Sequence, residues 1–172
     1  MIILGLDPGL AARKFGLALV QTGDSPRVIA HACCGTEPRD RLGRRVRDAQ
    51  RRAALVRELE AFLEEGPPPD LAGLERQYTQ PVYGDPGERR ARGRKAFDAL
   101  RLSDLCAELI ACLAGERIPV QRVEPLGVSP SDLAAYRLTL GPDLTADELS
   151  AAIIALHAEV EWRQRAPERR TA

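Results

Sequence analysis

The stretch Ile2-Ile3-Leu4-Gly5-Leu6-Asp7-Pro8-Gly9-Leu10 constrains this chain more than any other. An apolar run reaches a single carboxylate and then breaks at Pro-Gly. Four to eight apolar residues bounded by turn formers read as a buried strand. Asp7 then stands at the strand's exit, with Gly9 letting the chain turn sharply beside it. A charge at the end of a central strand must be paired or bound to metal. The competing explanation is a turn-forming Asp in an ordinary Asp-Pro-Gly loop. The pattern recurs at Asp70-Leu71-Ala72-Gly73-Leu74-Glu75, a second apolar run ending on a carboxylate.

Between these runs, Phe15 to Val20 reads as a returning second strand. Arg27 to Cys34 reads as a third, with Val28, Ala30 and Ala32 on one face, so the chain opens as an antiparallel meander. A long helix is expected from about Asp40 to Glu65, on an apolar stripe of Leu42, Val46, Ala49, Ala53, Val56, Leu59 and Leu63. Its arginines, Arg44, Arg45, Arg47, Arg51, Arg52 and Arg57, fit a solvated face with local ion pairs better than a phosphate-facing one. After Gly66-Pro67-Pro68-Pro69 the fourth strand, entered through a helix, should lie parallel in the sheet by the right-handed crossover rule. If it neighbours the first strand, Asp7 and Glu75 converge at one edge.

Residues 76 to 96 read as a loop carrying Tyr78 and Tyr83 beside Arg89, Arg90, Arg92, Arg94 and Lys95. A loop of that length is usually functional. Aromatics for base stacking with arginines for phosphate are a nucleic-acid signature. A second helix is expected over Phe97 to Ala114, apolar on more than one face and thus buried or shared with a partner subunit. A fifth strand follows at Ile118 to Val123, then a short helix near Pro130 to Arg137. The last helix starts at Thr145, where Thr145-Ala146-Asp147-Glu148 has the spacing of a capping box that assigns Glu148 to the cap. Asp147, in the first turn, places a third carboxylate at the sheet edge. The alternative role for it is helix-dipole stabilisation.

The 172 residues suit one domain, expected over 1–165, with 166–172 as a charged tail. Formal net charge is zero, so clustering of arginine rather than its total points to nucleic acid. Cys33, Cys34, Cys106 and Cys112 form no Cys-x-x-Cys pair, and His31 and His157 complete no zinc pattern, so buried thiols are expected. No apolar run approaches membrane-spanning length, and the expected location is the cytoplasm.

Three strands, helix, strand, helix, strand, helix is the order of the ribonuclease H-like α/β fold, a five-stranded mixed sheet flanked by helices. In that frame Asp7, Glu75 and Asp147 fall where the fold keeps its metal site. Hard cations want carboxylate oxygens, and two ions about 4 Å apart can activate water and stabilise the leaving oxygen of a phosphodiester. The sequence resembles the RuvC-type Holliday junction resolvases. Ile3 to Leu10 is close to their opening motif, and Leu74-Glu75-Arg76-Gln77-Tyr78 resembles their second, in which an aromatic follows the acid by three residues. Ala99 to Leu102 through Ile118-Pro119-Val120 is similar to their next helix and strand, and Asp147 to Ala155 to their closing helix.

The resemblance implies a homodimeric, Mg²⁺-dependent endonuclease that resolves four-way DNA junctions, with Mn²⁺ as the other candidate ion. Asp7, Glu75 and Asp147 would bind metal, and Tyr78 would stack near the exchange point. Arg76, Tyr83 and the basic residues of 89–95 would contact DNA. The family's closing helix usually carries a second acid three residues after the first, where this chain has Ser150. Ser150 could hold a metal-bound water, and Asp143 could substitute as a ligand if the helix began earlier. The family's lysines before that helix are missing, and Arg137 stands in as a candidate. The alternative function is a branched-DNA-binding protein of the same fold that cuts weakly or not at all.

Overall fold

The computed structural model describes residues 1–9, 14–36, 47–76, 86–124 and 129–169, with the course of the backbone alone for 86–99, 130 and 166–169. Its elements in chain order are β1 (Ile2–Asp7), β2 (Phe15–Gln21), β3 (Arg27–Cys34), α1 (Asp48–Glu65), β4 (Leu71–Glu75), α2 (Pro86–Gly115), β5 (Val120–Val123), α3 (Pro130–Leu140) and α4 (Ala146–Arg169). The sheet has five strands in the order β3-β2-β1-β4-β5. β1, β2 and β3 pair antiparallel, while β4 joins β1 and β5 joins β4 in parallel. This is the mixed α/β sheet expected from the element order.

Two separate cores form on the two faces of this sheet. On one, Leu4, Leu6, Leu17, Leu19, Ala72 and Leu74 pack against Leu55 and Leu59 of α1 and Leu105, Leu109 and Leu113 of α2. On the other, Ile3, Ala18, Val20, Leu71 and Val123 pack against Leu149, Ala151, Ala152, Ile154, Ala155 and Ala158 of α4. Alternate residues of each strand go to opposite sides, as the period of two requires.

The second face is the tighter one. A Cβ added at Gly5 would stand 1.7 Å from the carbonyl oxygen of Ala151, and one at Gly16 would stand 2.1 Å from that of Asp147. At Gly73 it would meet Ala158 Cβ at 2.7 Å and Ile154 O at 2.9 Å. These glycines lie on β2, β1 and β4, and Gly5 is the register partner of Gly73. They form a side-chain-free trough in which the α4 backbone rests on the sheet. Asp147, Ala151, Ile154 and Ala158 recur every three or four residues, so a single stripe of α4 makes the contact.

Several boundaries differ from expectation. The segment read as a loop over 76–96 is helical from Pro86 onward, so Arg89, Arg90, Arg92, Arg94 and Lys95 lie on the first half of α2. The run Gly84-Asp85-Pro86-Gly87 suggests a loop, yet Pro at the first helical position is a start signal. Tyr78 and Tyr83 lie outside the described residues, as do Arg44 and Arg45. The inner face of α1 is Arg51, Leu55 and Leu59, while Ala49 and Ala53 are exposed. The larger side chains win the buried face because they remove more apolar area from water. On β3 a register shift between Leu19 and Val20 puts Val28 with the α4-side core and Ala30 and Ala32 with the other. One extra residue in a bulge flips the face. β5 begins at Val120 rather than Ile118, α3 continues to Leu140, and α4 reaches Arg169, inside the segment expected as a tail. Of the cysteines only Cys106 is buried; the other three are half-buried, and all four are free thiols. Among the described residues no helix is long and apolar enough to cross a membrane.

Candidate active site

The same period of two that lays the glycines under α4 aims the acids. Gly5-Leu6-Asp7 and Gly73-Leu74-Glu75 share a spacing, so each carboxylate leaves the sheet on the face that its glycine clears for α4. Leu6 pairs with Leu74, so Asp7 and Glu75 come one step further along two adjacent parallel strands. Neighbouring strands are about 4.8 Å apart. Asp7 pairs on its other side with Gly16, whose missing side chain admits the backbone of Asp147. Three carboxylates separated by 68 and 72 positions in the chain are thus gathered at the C-terminal ends of β1 and β4 and the N-terminus of α4.

Electrostatics record the gathering. The Asp7 carboxyl is pushed up from 3.8 to about 6, first by burial and then by the charges of Glu75 and Asp147. A hydrogen bond donated by the Ser150 hydroxyl and the charge of Lys14 pull the other way. Ser150 is one turn after Asp147, so the hydroxyl in the place of the expected second acid points to Asp7 and steadies its ionised form. Lys14 Nζ stands 3.6 Å from Asp147 Oδ1.

The acidic cap of α4 is separate from these three groups. Glu148 Oε2 accepts from the Thr145 amide at 2.7 Å, and Thr145 Oγ1 accepts from the Glu148 amide at 3.3 Å, completing the expected capping box. Glu148 Oε1 also meets His31 Nδ1 at 2.9 Å. Burial pushes the Glu148 carboxyl up, but its bonds to His31 and Thr145 outweigh that and leave it lowered. Glu148 is therefore committed to structure.

The remaining candidates and the arginines of α1 lie elsewhere or are already engaged. Asp143 is exposed ahead of α4, and its charge is not among those that move Asp7. Arg137 spends its guanidinium on the carbonyls of Leu144 at 3.1 Å and Pro142 at 3.4 Å, where it braces the entry to α4. Arg76 pairs with Glu124 at 2.9 Å. In α1, Arg52 pairs with Glu108 and Asp104 of α2, and Arg51 with Thr36 and Asp48, in agreement with local ion pairing.

Two contacts were not anticipated from the sequence. Nothing in the sequence singles out Lys14, and Cys33 stands there only as a thiol. Cys33 pairs in register with Gly16 and brings Sγ to 4.0 Å from Asp147 Oδ2. Burial pushes its thiol up, so it stays protonated there. The signal for Cys33 was register, since it pairs with Gly16, while Lys14 stands against Gly9, two residues beyond Asp7.

Carboxylate oxygens with a hydroxyl are the donor chemistry of a hard divalent cation. Among the described residues no three His, Cys, Asp or Glu side chains stand close enough to grip an ion as they are. Three like charges resist convergence, and the Asp147 carboxylate is turned to Lys14. The raised Asp7 carboxyl is the electrostatic demand that a cation satisfies, so the residues fit such an ion.

The sheet order, its mixed direction and the crossing of α4 define an α/β fold of the ribonuclease H-like type. More particularly, the chain superimposes on Thermus thermophilus RuvC in complex with a Holliday junction substrate, with a TM-score of 0.69 at 15% identity over 96% of each chain. A second Thermus thermophilus RuvC structure matches with a TM-score of 0.67 at 15% identity, covering 96% of this chain and 98% of that one. A yeast mitochondrial Holliday junction resolvase matches at 0.55 and 17% identity, over 98% of this chain and 81% of its own. No protein-family model matches the sequence, and no curated protein does.

Proposed function

We propose that this chain is a divalent-metal-dependent endonuclease that resolves four-way DNA junctions. The observation that carries the reading is that the charges of Glu75 and Asp147 reach the buried Asp7 carboxyl, within a fold that matches junction-bound RuvC over nearly its whole length. Residues 1–165 would act as a single nuclease domain. The active form would be a homodimer, so that two sites nick two strands, and it would work in the cytoplasm.

Asp7, Glu75 and Asp147 would hold Mg²⁺ or Mn²⁺. The ion, when bound, supplies Lewis acidity toward a phosphoryl oxygen and lowers the pKa of water. The protein's own part is to aim the carboxylates. The strands fix Asp7 and Glu75, and the glycine trough fixes Asp147. The Ser150 hydroxyl holds the ionised form of Asp7. Arg89, Arg90, Arg92, Arg94 and Lys95, carried on α2, would neutralise backbone phosphates, so binding weakens steeply with salt. Tyr78, Tyr83 and Arg76 would meet the bases and backbone nearest the site.

A second reading is favoured by Ser150 alone. With a hydroxyl in place of a fourth acid, the chain would bind branched DNA but cut it weakly. One experiment separates the two: nicking of a synthetic four-way junction and a matched linear duplex, with Mg²⁺ or EDTA. Paired, Mg²⁺-dependent nicks confined to the junction are expected. Asp7→Asn should reduce them by more than the 10–100-fold typical of an outer-shell partner. Tight junction binding without nicks would select the binding protein. No preference for the junction would sink both.

A further inference from the structure

We propose that the Lys14 ammonium is a built-in cation of this site, standing in one of the two cation positions such carboxylate clusters serve, so that the protein by itself takes one divalent ion. The inference rests on the preceding reading only in treating Asp7, Glu75 and Asp147 as metal ligands.

Geometry comes first. Lys14 Nζ stands 3.6 Å from Asp147 Oδ1, although the side chain is 57% exposed and free to extend into water. Its backbone is not free. A Cβ at Gly9 would lie 2.1 Å from the Lys14 carbonyl oxygen and 2.7 Å from Lys14 Cβ. The Asp-Pro-Gly turn that ends the first strand therefore packs on Lys14 and holds its backbone against Gly9, two residues beyond Asp7. From there a four-carbon stem reaches Asp147, and the same ammonium is felt by Asp7. A lysine placed by the first-strand turn thus serves both the first-strand acid and the last-helix acid.

Charge balance points the same way. Two divalent ions about 3.5–4 Å apart repel strongly and need a surplus of carboxylates between and around them. Here Asp7, Glu75 and Asp147 offer three negative charges, and the fourth position is Ser150, a neutral hydroxyl bonded to Asp7. Subtracting the Lys14 ammonium leaves two negative charges, which match one divalent cation. The serine and the lysine are complementary changes: one removes an anion, and the other supplies a cation that needs no binding from solution. A lysine is a compact, strongly hydrated point charge, suited to that place.

The test is calorimetric titration of the metal-free protein with Mn²⁺, without DNA, so that the readout is binding rather than turnover. Wild type should take one ion per chain. Lys14→Met, at an exposed side chain whose loss leaves the core intact, should bind the first ion about tenfold more tightly and admit a second. Lys14→Arg should keep the wild-type stoichiometry. Two ions per wild-type chain would overturn the proposal, as would a Lys14→Met titration that overlays the wild-type curve. Mn²⁺ binding unaffected by Asp7→Asn, or absent from every variant, would remove the metal-ligand assignment and the proposal with it. One-ion binding with the Lys14 effects intact, but no nicking of junctions, would uphold the role of Lys14 and fail the resolvase reading alone.

Discussion

The two faces of the sheet are built by different rules. The α1 and α2 face is an ordinary leucine core, where side chains such as Leu55, Leu59, Leu105 and Leu109 interdigitate with Leu4, Leu6 and Leu17. The α4 face brings backbone to backbone over Gly5, Gly16 and Gly73, with Ala151, Ala155 and Ala158 as the lining. The first kind of packing supplies area and tolerates rearrangement among residues of like volume. The second leaves no freedom of distance. It is the face that carries Asp7, Glu75, Asp147 and Ser150, so the rigid contact sits under the proposed site.

The largest expected effect separates the faces by a methyl group. Gly5→Ala forces a Cβ against the Ala151 carbonyl, which belongs to helix backbone and cannot swing aside. Overpacking of that kind costs about 1–3 kcal/mol and occasionally more, and contact with unyielding backbone puts Gly5→Ala at about 3 kcal/mol. On the opposite face Leu109→Met changes shape within a fully buried site and should cost less than about 1.5 kcal/mol. Urea unfolding of both variants measures the difference. If Gly5→Ala loses less than Leu109→Met, the trough is not a close contact and the contrast fails.

The next effect lies in the site itself and has the opposite sign. The Asp7 carboxyl is raised from 3.8 to about 6 in the native state, so the folded protein holds that proton more tightly than the unfolded chain. Its contribution to stability is full below pH 3.8 and is lost as pH rises through about 6. At neutral pH the ionised group destabilises the metal-free fold by about 3 kcal/mol, at 1.36 kcal/mol per pKa unit. Asp7→Asn keeps the neutral shape and should raise stability by about that much at pH 7 and leave it unchanged at pH 3, as read from unfolding midpoints. An Asn variant no more stable than wild type at pH 7 would show that Asp7 carries no such burden.

Much of this was legible in the sequence because it was written in short-range pattern. Apolar runs ending at Asp7 and Glu75 marked adjacent strands, the crossover rule fixed their direction, and Thr145 with Glu148 announced the start of α4. What escaped notice depends on register. Gly5 and Gly73 each stand two residues before an acid, and that spacing encodes both the trough and the aim of the carboxylates, yet neither glycine says what it faces until α4 is placed. Cys33 joins the site through its pairing with Gly16, which no local window contains, and Lys14 through its close approach to Gly9. The first half of α2 was misread because glycines and arginines dilute the apolar period that marks a helix.

The smallest effect returns to the α4 face and asks whether its edge is pinned by charge as well as by close contact. Glu148 closes the cap with Thr145 and reaches His31 on β3 at 2.9 Å, so it ties the outer antiparallel strand to the helix that carries Asp147. Its carboxyl is lowered in the folded state, where the bonds to His31 and Thr145 outweigh the burial that opposes them. A lowered acid contributes stability that is present above its unfolded value of 4.5 and disappears as pH falls through the folded value. Glu148→Gln keeps the hydrogen-bonding shape and removes the charge. It should cost about 1 kcal/mol near neutrality, the usual net worth of one hydrogen bond, and flatten the loss of stability below pH 4.5 that wild type shows. Parallel acid titrations of the two proteins would mean that the Glu148 charge adds nothing at either His31 or Thr145. The α4 face would then owe its precision to the glycine trough, with no electrostatic latch at β3.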